Sequence, residues 1–140
     1  DGSPRREEEI EPFSEMLVHN DISLLKVIIF KLNREDAFKR LTGRRICPNC
    51  GKIYNIYYNP PPEENACEGC DGELEQREDD KPEVVNKRIN EFEQHTVPVI
   101  QYFKEKYLAK TMEIDALKPI DQILEIIWSQ ISEYLNVHKV

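Results

Sequence analysis

Residues 47–70, CPNCGKIYNIYYNPPPEENACEGC, contain every cysteine of this 140-residue chain. They form two Cys-x-x-Cys pairs with sixteen residues between them, and the members are Cys47, Cys50, Cys67 and Cys70. Two short pairs make tight knuckles whose four thiolates can converge on one tetrahedral ion, and Zn2+ is the usual ion in such a site. Because four protein ligands leave no open coordination position, the spacing predicts a structural zinc site.

Two other interpretations of the cysteines stay open from the sequence, namely two disulfides and a redox dithiol. A redox dithiol normally needs only one Cys-x-x-Cys pair beside a βαβ pattern. Nothing marks the chain as secreted, because it has neither an apolar signal segment nor an apolar run of membrane-spanning length. With reduced, zinc-compatible cysteines we therefore expect a cytoplasmic protein that does not associate with membranes.

The charge of the chain limits the partners to be expected. Acidic residues outnumber basic residues, 27 to 19, and the formal net charge is −8. A chain this acidic is a poor general binder of phosphate backbones, so we expect no nucleic-acid partner. A zinc-ribbon nucleic-acid binder would fit the cysteine spacing but not this charge.

Two helices and a strand are predicted before the cysteines. Residues Arg6–Val18 carry apolar side chains at helical spacing, which indicates an amphipathic helix. Residues Leu24–Leu32 form a nearly continuous apolar run, typical of a strand buried on both faces of a parallel sheet. Asn33 with Asp36 three residues later is typical of a helix N-cap, and this short helix is expected to end near Gly43.

The sequence pattern changes in the region Gly43–Asp80, which has an alternating strand signal at Ile53–Tyr58 and three consecutive prolines. This pattern predicts a β-rich zinc module. Asp80 is expected to cap a helix that has Pro82 in its first turn. This helix is predicted to carry Val84, Val85, Ile89 and Phe92 on one face. It is followed by a helix after Pro98 and a strand over Met112–Asp115. A last helix starts near Pro119, and its predicted buried stripe consists of Ile120, Ile123, Leu124, Ile127, Trp128 and Ile131.

Helices and strands that alternate around an insert predict an α/β protein with a parallel sheet. On this interpretation the chain divides into core residues 1–42, a zinc-binding module at residues 43–80, and C-terminal core residues 81–140.

Several motifs, in this order around the cysteines, resemble adenylate kinases of the zinc-lid type, from partway through their fold to its end. The segment Asp1-Gly2-Ser3-Pro4-Arg5 resembles the family's Asp-Gly-Phe-Pro-Arg, and RLTGRR at residues 40–45 resembles the basic entry to its mobile lid. NPP at residues 59–61 and REDD at residues 77–80 resemble the lid turn and the lid exit, and Arg88 matches an arginine of the following helix. The resemblance implies a P-loop nucleoside monophosphate kinase-like fold, with its N-terminal part absent from this sequence and a zinc-binding lid inserted.

The reaction implied by the resemblance is reversible phosphoryl transfer between ATP and AMP, which gives two ADP. Such a transfer needs positive charge directed at the phosphate oxygens, and the planar guanidinium of arginine supplies it at any relevant pH. The resemblance implies ATP binding by Arg40, against the adenine, and by Arg44, AMP binding by Arg5, Arg77 and Arg88, a catalytic role for Arg44, Arg77 and Arg88, and orientation of Mg2+ through water by Asp1. The cofactors implied are a structural Zn2+ and the Mg2+ that accompanies ATP.

The sequence also departs from the family pattern. It contains no Gly-x-x-x-x-Gly-Lys-[Ser/Thr] loop, which the family places near its N-terminus. We therefore expect the chain to be inactive alone and to need the missing N-terminal half, or a partner that covers the edge of the strand at Val27–Leu32. Glu9 stands about where the family has a glutamine that reads the AMP base, which leaves the acceptor open. The alternative function is a catalytically inactive, zinc-stabilised interaction module.

Overall fold

The computed structural model of the protein describes residues 2–70 and 72–137, with side chains up to residue 132 apart from residue 71. Contacts divide the chain into two units, which are described separately. We call Asp1–Leu32 with His95–Val140 the core unit, and Asn33–Gln94 the cysteine unit. The helices and strands are α1 Ile10–His19, β1 Val27–Lys31, α2 Arg34–Thr42, β2 Arg44–Ile46, β3 Ile53–Asn55, α3 Pro82–Glu91, α4 Val97–Lys106, β4 Thr111–Asp115 and α5 Ile120–Val137, with a π-helical turn at Phe92–Thr96 between α3 and α4.

The core unit is built on a parallel pair of strands. β1 pairs with β4 in the register from Val27↔Thr111 to Lys31↔Asp115. Both strands were predicted from sequence, and their parallel pairing confirms an α/β fold. The buried centre of this unit is formed by Ile114 of β4 with Val99 and Phe103 of α4.

Two burial predictions in the core unit are wrong. Residues 27–29 of β1 are only half-buried, and Phe30 is 54% exposed, so the strand is not buried on both faces. The predicted stripe of α5 is wrong in part, because Ile120, Leu124 and Trp128 are exposed, whereas its other members Ile123, Ile127 and Ile131 are half-buried, together with Ile126. The physical reason is the same in both places, because the described residues provide β1 with one neighbouring strand and α5 with one packed side.

The cysteine unit begins with the predicted capped helix. The side-chain oxygen of Asn33 accepts a hydrogen bond from the backbone N–H of Asp36 at 2.8 Å, which satisfies a donor that the first turn of α2 leaves free. After α2, strands β2 and β3 pair antiparallel, in the register from Arg44↔Asn55 to Ile46↔Ile53. This N-cap and the strand that starts at Ile53 confirm the prediction.

β3 is shorter than its alternating pattern suggested, because Asn55 turns the chain. Its amide nitrogen donates to the carbonyl of Arg40 at 2.9 Å, and its amide oxygen accepts from the backbone N–H of Tyr57 at 3.0 Å. A side chain that binds the backbone two residues further on favours a turn over an extended strand. Tyr57 and Tyr58 therefore lie after the strand, where both are about half-exposed.

The predicted N-cap at Asp80 is wrong. α3 starts at Pro82, as expected, but its N-cap residue is Lys81, with no side-chain capping bond. Asp80 lies in a turn of 3-10 helix at Glu78–Asp80 and is fully buried, since its carboxylate is bound by Arg44. Because the Asp80 side chain is paired with Arg44 of β2, it does not cap α3.

The buried face of α3 differs in part from the predicted one. Val85 and Ile89, four residues apart, are buried, whereas Val84 is 37% exposed and Phe92 is 48% exposed. The contacts place α2 and α3 in one unit with the cysteine module. The division at residues 42 and 80 stays a prediction. None of the helices in the described part of the chain has the length and apolar character needed to span a membrane.

Candidate functional site: a four-cysteine centre and an arginine cluster

The four cysteine sulfurs converge in one place. All four Sγ atoms lie within 4.8 Å of one another, with Cys47 to Cys70 at 3.4 Å and Cys50 to Cys67 at 3.5 Å. No disulfide joins them. Thiolates bound at about 2.3 Å to a tetrahedral ion stand about 3.8 Å apart, so the observed spacing fits such an ion. The site can hold a metal, in agreement with the predicted ligand set.

Backbone turns bring the sulfurs together. The backbone N–H of Gly51 donates to the carbonyl of Cys47 at 2.9 Å, and Gly51 has a φ of 75°, which a residue with a Cβ rarely adopts. The second knuckle is closed by the N–H of Cys67, which donates to the carbonyl of Gly72 at 2.9 Å. A Cβ on Gly72 would lie 3.0 Å from the Cys47 sulfur, so the two knuckles meet where only hydrogen fits.

Tyr54 lies in the strand that the alternating pattern predicted, and the structure gives it a polar contact with the centre. It is 3% exposed, and its hydroxyl lies 3.6 Å from the sulfur of Cys67. This hydrogen bond is the main reason that the pKa of Cys67 is lowered to about 6. The alternation along β3 was the signal that placed its side chain inward, but no sequence pattern marked its hydroxyl as a partner of sulfur.

The thiols differ in their tendency to ionise. The pKa of Cys47 is lowered, chiefly by a hydrogen bond from the backbone of Cys50. The pKa of Cys70 is raised to about 12: a bond from the backbone of Gly72 lowers it, but the sulfurs of Cys47 and Cys50 and burial outweigh that effect. Four thiolates in so small a volume would repel one another strongly. A cation would remove this repulsion.

Three of the predicted arginines are brought together by two adjacent carboxylates. Arg44 binds Asp80 through Nε at 2.7 Å and Nη2 at 2.6 Å. Arg77 Nε lies 2.9 Å from a carboxylate oxygen of Asp79. Arg88 Nη1 donates to the Asp79 backbone carbonyl at 2.9 Å and lies 3.7 Å and 3.9 Å from the carboxylates of Asp79 and Asp80. The result is a chain of alternating charges.

The carboxylates of this cluster hold the guanidinium groups in place. The hydrogen bond to Asp80 raises the pKa of Arg44 further above its ordinary value. The side chains of Arg44, Arg77 and Arg88 keep exposures of 27%, 52% and 43%. Partly exposed arginines, spaced by carboxylates that prevent mutual repulsion, are able to bind an anion with several charged oxygens.

Arg40 and Arg5 make other contacts. Arg40 is near the end of α2, with its guanidinium carbon 5.6 Å from the ring centroid of Tyr58, whose hydroxyl donates to Asp36 at 3.0 Å. Arg5 belongs to the core unit, where its backbone N–H donates to a carboxylate oxygen of Glu9 at 2.7 Å. The predicted Mg2+ residue, Asp1, lies outside the described residues.

Glu9 has a role in the structure that the sequence did not indicate. One of its oxygens accepts from the backbone N–H of Arg5 at 2.7 Å and from the hydroxyl of Ser3 at 3.0 Å. These two bonds, the first being the larger cause, hold the pKa of Glu9 below its ordinary value. The carbonyl of Arg5 in turn accepts from the hydroxyl of Thr96 at 3.1 Å, so Arg5 is fixed on both sides of its backbone.

A parallel α/β unit joined to a four-cysteine module with an arginine cluster defines a nucleotide-kinase type of architecture. Comparison with known proteins agrees, since residues 44–79 match the family of adenylate kinase active-site lids. Adenylate kinases are also similar to most of the chain. That of Archaeoglobus fulgidus is 38% identical over 136 residues, which are 97% of this chain and 60% of the relative.

Two bacterial adenylate kinases extend the comparison. The enzyme of Onion yellows phytoplasma (strain OY-M) is 39% identical over 127 residues, 91% of this chain and 58% of the relative. That of Caldanaerobacter subterraneus subsp. tengcongensis is 41% identical over 125 residues, 89% of this chain and 56% of the relative. The chain is similar to these adenylate kinases over most of its own length, in agreement with the resemblance, and it spans about three fifths of the length of these relatives.

Proposed function

We propose that this chain supplies the lid and the C-terminal core of an adenylate kinase that transfers a phosphoryl group reversibly between ATP and AMP to give two ADP. The observation that carries the proposal is the arginine cluster, in which two adjacent carboxylates, Asp79 and Asp80, gather Arg44, Arg77 and Arg88 at the exit of a lid. The similarity to curated adenylate kinases supports the substrates ATP, AMP and ADP.

The chemistry of phosphoryl transfer explains why an arginine cluster suits this function. The transition state spreads negative charge over the equatorial oxygens, and the protein stabilises it chiefly with fixed positive groups and by excluding water. We assign Arg44, Arg77 and Arg88 to the transferring phosphoryl group, Arg40 and Arg44 to ATP, and Arg5, Arg77 and Arg88 to AMP. Each guanidinium can donate two parallel hydrogen bonds to a phosphate, which fixes its orientation as well as its charge.

The metals have different parts in this proposal. Cys47, Cys50, Cys67 and Cys70 hold a structural Zn2+, which keeps the lid folded. Mg2+ with ATP supplies charge neutralisation of the phosphates, and Asp1 orients it through water. The free thiols support a reducing compartment, and we assign the protein to the cytoplasm.

The phosphate-cradling loop is the part of the machinery that residues 1–140 do not contain. We propose that these residues alone are inactive and that a segment with this loop pairs with the open side of β1. The exposure of Phe30 in β1 supports the need for such a cover. The alternative is a zinc-stabilised interaction module without catalysis. In that case the exposed side of β1 would bind a partner protein.

A coupled assay of ADP formation from ATP and AMP tests the proposal. Residues 1–140 are assayed alone, then fused to the phosphate-loop half of an adenylate kinase, and then fused to the same half with its loop lysine replaced by alanine. We expect turnover only in the second case. Turnover by residues 1–140 alone would show that they do not need the loop, and a folded but inactive fusion would favour the interaction module.

A further inference from the structure

The hydroxyl of Tyr54 has a defined hydrogen-bond direction. Its oxygen accepts from the backbone N–H of Glu68 at 3.1 Å and lies 3.6 Å from the sulfur of Cys67. Because the amide can only donate, the phenolic hydrogen is left for the sulfur. The Tyr54 hydroxyl is therefore the donor to Cys67, and it is held in place by the residue that follows this cysteine.

We propose that Tyr54 is a positioning residue of the metal centre, whose hydroxyl donates a hydrogen bond to the sulfur of Cys67 and thereby sets how tightly the four cysteines hold their ion. The proposal rests on the proposed metal binding and deepens it. Groups that hydrogen-bond to metal ligands orient them and tune the metal, and they act without contact with the ion.

Burial makes this hydrogen bond important for Cys67 in particular. Cys67 is 1% exposed and Tyr54 is 3% exposed, whereas Cys50 and Cys70 are exposed and can receive hydrogen bonds from water. A buried thiolate loses that hydration, and each fixed donor that replaces water is worth more in a low-dielectric setting. Phenylalanine would fill the same space without supplying the donor.

An ion pair joins the residues on either side of the contact between Tyr54 and Cys67. Lys52 Nζ lies 5.3 Å from the ring centroid of Tyr54 and pairs with Glu68 at 2.8 Å. This ion pair lies over the tyrosine and joins the residues on both sides of the contact, since Glu68 also supplies the N–H that orients the hydroxyl. The sequence thus builds one network from the strand to the second knuckle.

The test compares Tyr54→Phe with a matched control, Tyr58→Phe, in residues 1–140. The control removes a hydroxyl that donates to Asp36 at 3.0 Å, but not one that contacts a cysteine. Competition with a chromophoric chelator should show that Tyr54→Phe binds Zn2+ about tenfold more weakly, while the control keeps the original affinity. Equal affinity in Tyr54→Phe and the unchanged protein would overturn the proposal.

A spectroscopic readout separates tuning of the sulfur from a general loss of stability. With Co2+ in the site, the sulfur-to-metal charge-transfer band of Tyr54→Phe should move to lower energy, because a thiolate that loses a hydrogen bond gives up electrons more easily. Weakened binding with an unmoved band would mean that Tyr54 acts by packing alone, which contradicts the proposal.

A second variant covers the case in which Tyr54→Phe does not fold. Incorporation of an ortho-fluorinated tyrosine at position 54 keeps the hydroxyl and makes it a stronger donor, so the band should move to higher energy. A band that stays in place in this variant would overturn the proposal. If the unchanged protein binds neither Zn2+ nor Co2+, the proposed metal site itself is wrong, and this result is distinct from the others.

Discussion

Arg44 binds both carboxylate oxygens of Asp80, with its Nε 2.7 Å from one oxygen and its Nη2 2.6 Å from the other. Asp80 is completely buried, and Arg44 keeps part of its side chain in contact with solvent. The carbonyl of Asp80 is bound as well, by the amide of Gln76 at 3.1 Å. This arrangement joins Asp80, which directly follows the residues that match the lid family, to Arg44, the first of those residues.

Removal of the Asp80 carboxylate should destabilise the cysteine unit strongly. Asp80→Ala leaves Arg44 without its counter-charge, and loss of one partner of a buried pair lowers the free energy of unfolding by about 3 kcal/mol or more. The matched control is Asp79→Ala, since Asp79 is 40% exposed and its pairs should contribute less than about 1 kcal/mol. Urea unfolding followed by circular dichroism measures both, and equal losses would contradict the assignment.

Loss of Arg88 from the arginine cluster should slow phosphoryl transfer in the active fusion described above. We expect Arg88→Ala to lower kcat by about a hundredfold, because it would remove the proposed charge-assisted contact to the transferring phosphoryl group. Lys87→Ala is the control, since Lys87 is an exposed cation one residue away on α3. Similar rates for the two variants would show that Arg88 has no catalytic role.

Replacement of Arg44 and replacement of Arg34 should have different effects on catalysis. Arg44→Ala should lower kcat by about a hundredfold as well, but it also leaves Asp80 unpaired, so its stability is measured beside its activity. Arg34 lies on α2 and binds Glu93 at 2.6 Å and Asn90 at 2.7 Å. Arg34→Ala should therefore leave kcat unchanged and affect stability alone.

Removal of the metal should unfold the cysteine unit before the core unit. The buried residues around the centre are Cys47, Tyr54, Cys67 and Leu74, so little apolar packing remains once the ligands separate. After chelation, amide hydrogen exchange should rise across residues 44–79 and stay slow in β4. Cys47→Ser should reproduce this pattern without a chelator, and uniform exchange in both units would contradict it.

The contact between Glu9 and Arg5 should weaken at acid pH. The pKa of Glu9 in the folded protein lies below its value in the unfolded chain, so the ionised carboxylate stabilises this segment at neutral pH. This contribution to stability disappears as the pH falls through the lowered pKa. The backbone amide resonance of Arg5 should titrate with a midpoint below the ordinary glutamate value. Glu9→Gln should abolish this titration, and persistence of the same midpoint in that variant would assign it to another group.

The sequence alone determined the features that depend on local chemistry. The spacing of the cysteines predicted one four-sulfur centre, the Asn33 cap predicted the start of α2, and the apolar runs predicted β1 and β4. These features follow from residues that are close in sequence or from periodicity, so a single chain is enough to predict them.

The tertiary structure decided which side chains are buried and which groups they bind. Asp80 is a residue type that often caps helices, and it stands just before Pro82. Its carboxylate instead binds the guanidinium of Arg44, thirty-six residues earlier in the chain, because a charge-assisted pair is stronger than a capping bond. Trp128 has the position of a core residue, yet the side of α5 on which it lies is exposed among the described residues. Tyr54 follows the alternation of a strand, and only folding brings its hydroxyl to Cys67, thirteen residues away. Burial and long-range pairing depend on which elements pack together in the fold. The periodicity of one segment does not show which other segments pack against it.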